Sequence, residues 1–183
     1  MNFPTLGLTG GANVGKDVIA KMLVEDGWTR VAFADPVREM ALAIDPLVPI
    51  EYSHTVRLSQ AVRDRGWEGA KKIVEVRRLL QVIGTDAVRD MLGKDTWIDI
   101  AFDKIDRADS PVVVTDVRFE NEAQALREIG GQICMITRPG AHCERDHRSE
   151  SLTIEPDFNI DNSGTLDDLR DLVVHAVTDI LEA

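Results

Sequence analysis

The feature that most constrains this chain is the stretch TLGLTGGANVGKD at residues 5–17, where an apolar run breaks into glycines and then gives way to a helical pattern. TLGLT is short, apolar and closed by Gly10 and Gly11, the profile of a buried strand that ends in a turn. After Gly15, the residues Val18, Ile19, Met22 and Leu23 recur at helical spacing. A glycine turn between strand and helix exposes backbone N–H groups that no side chain blocks, at the positive end of a helix dipole. Gly10, Gly11 and Gly15 meet the demand of a phosphate-cradling loop, and Lys16 adds a full charge. A tight turn without a ligand is the plainer alternative, but glycines and lysine together after a strand and before a helix favour the phosphate reading. Asp17 stands where such a loop usually offers a hydroxyl to a metal; its carboxylate could accept from water around Mg2+ or bind the cation itself.

The rest of the chain repeats the alternation of strand and helix. RVAFADP reads as a second buried strand stopped by Pro36, and PVREMALAI as a helix with proline at its first position. PVVVTD, QICMITR and DFNI read as further strands, and FENEAQALREIGG as a helix closed by glycines. The last helix, TLDDLRDLVVHAVTDILEA, carries Leu166, Leu169, Leu172, Val173, Ala176, Val177 and Ile180 as its core stripe. Residues 55–108 look helical, with breaks at Gly66, Gly84 and Gly93, and mark an all-helical insert over about 50–108. RPGAHCERDHRSE, residues 138–150, is polar and turn-rich and reads as a mobile loop. These elements predict one domain over 1–183, a three-layer α/β fold with about five parallel strands, in which ligands bind at the strands' carboxyl ends.

Composition narrows the partners. A net charge of -11 argues against a nucleic-acid polymer or a membrane surface, both anionic, while leaving a small anionic substrate to locally placed Arg and Lys. Only two cysteines are present, and Cys134 lies in an apolar run, which argues for a reducing cytoplasm and against a disulfide framework. No basic, apolar leader is visible at the N-terminus, so no targeting or membrane segment is expected.

Taken in order, GGANVGKD, FADPVRE, RRLLQVIGTDAVRD, DTW, TDVRFENEA, DHRSE and IDNSGTLDDL resemble the deoxynucleoside monophosphate kinases of tailed bacteriophages over nearly the whole length. Asp after the loop lysine is common in that family, which often continues with Thr where this chain has Val18. The resemblance implies a P-loop kinase fold with ATP and Mg2+ as cofactors and a deoxynucleoside monophosphate as second substrate. It also implies the host cytoplasm if the chain is phage-encoded; a homodimer stays open. Gly11, Ala12, Asn13, Val14, Gly15, Lys16, Asp17 and Val18 would then form the donor loop, with Asp17 near the metal.

The same resemblance organises the remaining candidates. Arg77, Gln81 and Thr85 fall at i, i+4 and i+8 on one helix face, while Leu79, Leu80, Val82 and Ile83 are expected to turn inward. By the resemblance Arg77 holds the acceptor phosphate, and Gly84, Thr85 and Trp97 shape the nucleotide pocket. Trp97 could stack on the base, with core packing as the equal rival. Asp35 and Arg38 follow the second strand and could touch the acceptor, the alternative for Asp35 being a helix cap. Asp116 ends a strand where a magnesium- or substrate-ordering acid belongs, and Arg118 points the same way if the strand continues. Arg138, Arg145 and Arg148 are placed to close as a lid onto the transferring phosphoryl group. His142, Cys143 and His147 invite a zinc reading but lack a fourth ligand at usable spacing; His147 and Glu150 belong to the family-like stretch. Asn162 and Gly164 are expected beside the adenine, although Asn-Ser-Gly is also a simple turn with Thr165 as the following N-cap. Rivals are another small P-loop kinase, for dephospho-coenzyme A or a ribonucleotide, and a nucleotide-sensing protein without catalysis.

Overall fold

Runs such as LGLT and VVV have no alternation of polar and apolar residues, and such runs are stable only as strands covered on both faces. The computed structural model describes residues 3–51, 54–141 and 154–182 and bears this out. In chain order the elements are β1 (Thr5–Thr9), α1 (Lys16–Glu25), β2 (Thr29–Val31), α2 (Asp35–Ile44), β3 (Leu47–Glu51), β4 (His54–Arg57), α3 (Leu58–Ala70) and α4 (Val74–Gln81). A π-helix (Val82–Ala87) follows, then α5 (Val88–Met91), α6 (Thr96–Asp106), β5 (Val112–Val114), α7 (Glu120–Glu128), β6 (Gln132–Thr137), β7 (Phe158–Asp161) and α8 (Leu166–Glu182). They form two compact units, one of Met1–Phe33 with Ile98–Ala183 and one of Ala34–Trp97.

The first unit is built on a five-stranded sheet of order β2-β5-β1-β6-β7, and every neighbouring pair is parallel. Leu6 and Leu8 of β1 pack with Ile19, Leu23, Leu169 and Val173 from α1 and α8. On another cluster, Val112 and Val114 of β5 join Ala123 and Leu126 of α7 and Ala101 of α6. Helices thus supply both apolar clusters around one parallel sheet, the expected three-layer α/β arrangement.

Two details of the helix faces need correction. In α8 the buried line is Leu169, Val173 and Val177, with Ala176 and Ile180 partly buried, whereas Leu166 and Leu172 are exposed. The residues that face the sheet fall on one i, i+4, i+8 line of the helix. Val18 is exposed as well, because α1 turns Ile19, Met22 and Leu23 inward.

The second unit differs at its start from the expected all-helical insert. β3 and β4 pair as an antiparallel hairpin, with a register shift between Pro49 and Glu51. Pro49 offers no N–H to a ladder, which a two-stranded ribbon tolerates and a central strand does not. The unit also begins and ends earlier than 50–108. Val37 and Ala41 of α2 share a core with Val48, Leu58, Val76 and Trp97, while Ile98, Ala101 and Phe102 pack in the cluster around β5. Gly66 is a kink at φ 64 and Gly93 ends α5 at φ 142, but Gly84 breaks nothing. The helix runs through it as a π-helix, whose wider turn shifts the phase of all that follows.

Candidate active site

Three positive φ values within six residues coil the backbone between β1 and α1, at Gly10 (φ 136), Asn13 (φ 61) and Gly15 (φ 109). Asparagine tolerates the left-handed region better than most residues, and the two glycines have no Cβ to oppose it. Such alternation of backbone hand makes an anion-binding concavity. The glycines are also required by packing. A Cβ on Gly10 would run into the carbonyl oxygen of Ile136 in β6, and one on Gly15 into the side-chain amide of Asn162.

The helix that follows is open to an anion. Its N-cap is Gly15, and no side chain caps it. Lys16 Nζ folds back over the turn and donates to the carbonyls of Gly10 (2.9 Å) and Gly11 (2.7 Å), a strap of positive charge across the loop. Ala12 and Asn13 are exposed, Gly11 half-buried, and Val14 buried as the loop's apolar anchor. Asp17 is exposed in the first turn of α1, where its charge suits the dipole.

Asn162 reaches this loop from the end of β7. It is 6% exposed; its backbone N–H bonds to Thr137 O at 2.8 Å, and its Nδ2 donates to Val14 O at 2.8 Å. Its side chain therefore braces the turn, a role that sequence reading did not assign. Gly164 sits in a second turn. A Cβ there would crowd Asp168, whose carboxylate accepts from the N–H and hydroxyl of Thr165 (2.8 and 2.7 Å) while Asp168 N–H returns to Thr165 Oγ1 (3.2 Å). Thr165 is thus the expected N-cap of α8, and its hydrogen bonds hold the Asp168 carboxyl below its ordinary pKa.

Asp116 is half-buried and accepts the Phe33 N–H on Oδ1 at 2.8 Å, tying the segment after β5 to the one after β2. The strand does not continue to Arg118. β5 ends at Val114, and Arg118 is exposed in a turn that Glu122, itself 3% exposed, holds through the N–H groups of Arg118 (2.8 Å) and Phe119 (3.0 Å). The condition for a shared direction of Asp116 and Arg118, a strand that continues, is therefore not met. Arg138 is exposed just past the carboxyl end of β6. Arg145 and Arg148, with His142, Cys143, His147 and Glu150, lie outside the described residues.

The remaining candidates belong to the second unit. Asp35 and Arg38 pair at 3.3 Å, and the Arg38 guanidinium lies 5.8 Å from the Trp67 ring centre, close enough for a cation–π contact. Ala34 is the N-cap of α2, so Asp35 lies inside the first turn. A hydrogen bond from Lys71 holds the nearby Glu68 carboxyl below its usual pKa, and the Arg38 charge acts the same way. Along α4 and the π-helix, Arg77 is exposed, Gln81 half-buried and Thr85 8% exposed. Val76 and Ile83 are buried, Leu79 and Leu80 are partly buried against the same core as expected, and Val82, expected inside, is 40% exposed. Trp97 is 3% exposed and donates its indole N–H to Gly84 O at 2.7 Å. It packs in the core and shapes the site only through Gly84; a base-stacking face is not on offer in this conformation.

Two residues escaped sequence reading. Arg89 is 8% exposed, rare for arginine, and extends the series 77, 81, 85 by one more step of four, which would have found it. Trp67 is recognisable only through Arg38, its partner from another helix. Among the described residues no three His, Cys, Asp or Glu gather to hold a metal ion. No helix there is long and apolar enough to cross a membrane.

The model of the family described as deoxynucleotide monophosphate kinase matches residues 49–173. A protein of Acanthamoeba polyphaga mimivirus, provisionally named a deoxynucleotide monophosphate kinase, is 31% identical over 160 residues, spanning 79% of this chain and 79% of its own. The deoxynucleotide monophosphate kinase of Enterobacteria phage T4 is 33% identical over 100 residues, 51% of this chain and 42% of that protein. The deoxynucleoside-5'-monophosphate kinase of Escherichia phage T5 is 28% identical over 180 residues, 67% and 71%. Among solved structures, a Thermus thermophilus protein superposes with TM-score 0.55 at 12% identity, over 98% of this chain and 99% of its own. The dephospho-CoA kinase of Campylobacter jejuni does so with TM-score 0.50 at 16% identity over 97% of each. At such identities the likeness carries the fold alone.

Proposed function

The chain belongs to the deoxynucleotide monophosphate kinase family, and on that premise we propose that it transfers the γ-phosphoryl group of ATP to the 5'-phosphate of a deoxynucleoside monophosphate, with Mg2+. The bond from the γ-phosphorus to the β-γ bridging oxygen breaks, a bond to an acceptor phosphate oxygen forms, and ADP and a deoxynucleoside diphosphate leave. The observation that carries this reading is the glycine-lined turn strapped by Lys16 at the open end of α1.

Such a transfer asks little covalent work of the protein and much positioning of charge. The backbone N–H groups of residues 11–15 and the first turn of α1 bind the β- and γ-phosphates, and Lys16 exchanges its loop carbonyls for phosphate oxygens. Bound magnesium would supply positive charge to those oxygens, and Asp17 and Asp116 would order its water. Arg77 and Arg38 hold the acceptor phosphate. Trp67 and Asp35 support Arg38 by fixing its guanidinium before substrate arrives. Thr85 and Gly84 border the acceptor, and Gln81 and Arg118 offer further donors to it. Gly164 flanks the donor base, and Arg138, with Arg145 and Arg148, meets the charge in transit.

The test is ADP release in a coupled assay with dAMP, dGMP, dCMP, dTMP, the four ribonucleoside monophosphates and dephospho-coenzyme A. Acceptor-dependent turnover with one or more deoxynucleotides is expected. Turnover with dephospho-coenzyme A alone, or none with any acceptor, would overturn the proposal.

A further inference from the structure

We infer that Asn162 is a positioning residue for the phosphate loop: its side-chain amide sets which way the Val14–Gly15 peptide faces, and so whether the Gly15 N–H is presented to the donor's phosphates. This rests on the donor site proposed above and deepens it. The backbone of Asn162 is pinned to β6 by the 2.8 Å bond to Thr137 O, and its side chain, 6% exposed, has nowhere to swing. From this fixed base Nδ2 holds Val14 O at 2.8 Å. No peptide bond among the described residues is cis, and in a trans peptide C=O and N–H point in opposite directions. Holding the Val14 carbonyl toward Asn162 therefore aims the Gly15 N–H away from Asn162.

The brace is needed because of Gly15. Glycine accepts both signs of φ at little cost, so the same residue that permits φ 109 also lets the 14–15 peptide plane turn over. Turned over, the plane would present a carbonyl oxygen to a polyphosphate in place of a donor. Asn162 removes that alternative, and a side chain on Gly15 would collide with it. One N–H of the amide is committed to this contact, and the role it gives Asn162, setting a loop peptide, differs from reading the adenine.

The experiment is calorimetric binding of ATP and of inorganic tripolyphosphate, both with Mg2+, to the wild-type chain and to Asn162→Ala. Tripolyphosphate has no base. A loop brace predicts that N162A weakens both ligands together, by about tenfold. Loss of ATP affinity with tripolyphosphate binding intact would make Asn162 a base contact and overturn the inference, as would no loss for either. A wild-type chain that binds neither ligand would instead remove the donor site itself, and the inference with it.

Asn162→Asp supplies a second readout that keeps side-chain size. Ionised, the new carboxylate faces the Val14 carbonyl with no proton to donate; protonated, it restores the donor. Tripolyphosphate affinity relative to wild type should therefore be low at about pH 8 and recover toward about pH 5, since burial raises a carboxyl's pKa. Lys16 and Asp17 beside the loop, and Asp161 and Asp168 around position 162, are shared by both proteins and cancel in the ratio. A ratio independent of pH would overturn the inference.

Discussion

Gly15→Ala tests the loop's packing in energetic terms. At φ 109 an alanine pays backbone strain of about 1–3 kcal/mol. Its methyl would also occupy the position of Asn162 Nδ2, displacing the bond to Val14 O and leaving buried partners unsatisfied, about 1–3 kcal/mol more. G15A should thus lose about 2–6 kcal/mol in urea denaturation. Gly27 separates the two costs, because at φ 92 a Cβ there meets nothing within 4 Å. G27A should show strain alone. Asn162→Ala by itself costs the bond, and with the amide gone the methyl at position 15 has room. The double variant should therefore fall short of the sum of the single ones by about 1–3 kcal/mol. Additivity within about 0.5 kcal/mol would refute the collision and the geometry from which it was read.

Arg77→Ala should raise the KM for the deoxynucleotide by about 10-fold or more while leaving that for ATP unchanged in the coupled assay; an equal rise in both would contradict its place with the acceptor. Trp97→Phe keeps one aromatic ring but gives up the indole bond to Gly84 O and leaves space in the core, and should destabilise by at least about 1–3 kcal/mol in denaturant titration. Cys134 is buried, and burial pushes its thiol up to about 12. In a Cys143→Ser background, a thiol reagent at about pH 8 should therefore label nothing until the chain unfolds.

The sheet was readable because parallel strands announce themselves. LGL, VVV and ICMI are apolar throughout, and a glycine, an acid or an arginine follows within two residues where the chain leaves the sheet. The loop was readable for a similar reason, since three glycines and a lysine are local facts. What depends on partners distant in sequence was not readable. The Val14 carbonyl finds Asn162 148 residues later, and Arg38 finds a ring on a different helix. Val82 was grouped with Leu79, Leu80 and Ile83, but helical spacing sets it to the side of the line through Val76 and Ile83, and it is 40% exposed. Pro49 disguised the hairpin, because proline argues against a strand everywhere except in a ribbon with free edges.

The brace from Asn162 to Val14 also has a consequence in time. A chain is made from its amino end, and the turn that would hold a triphosphate leaves the ribosome long before the asparagine that aims its amide. The strand β6, against which Gly10 packs, comes late as well. A nascent or prematurely terminated chain can thus form the first helix yet lack a finished grip on nucleotide. The contacts that fix the turn are complete only once the carboxyl-terminal third has been made.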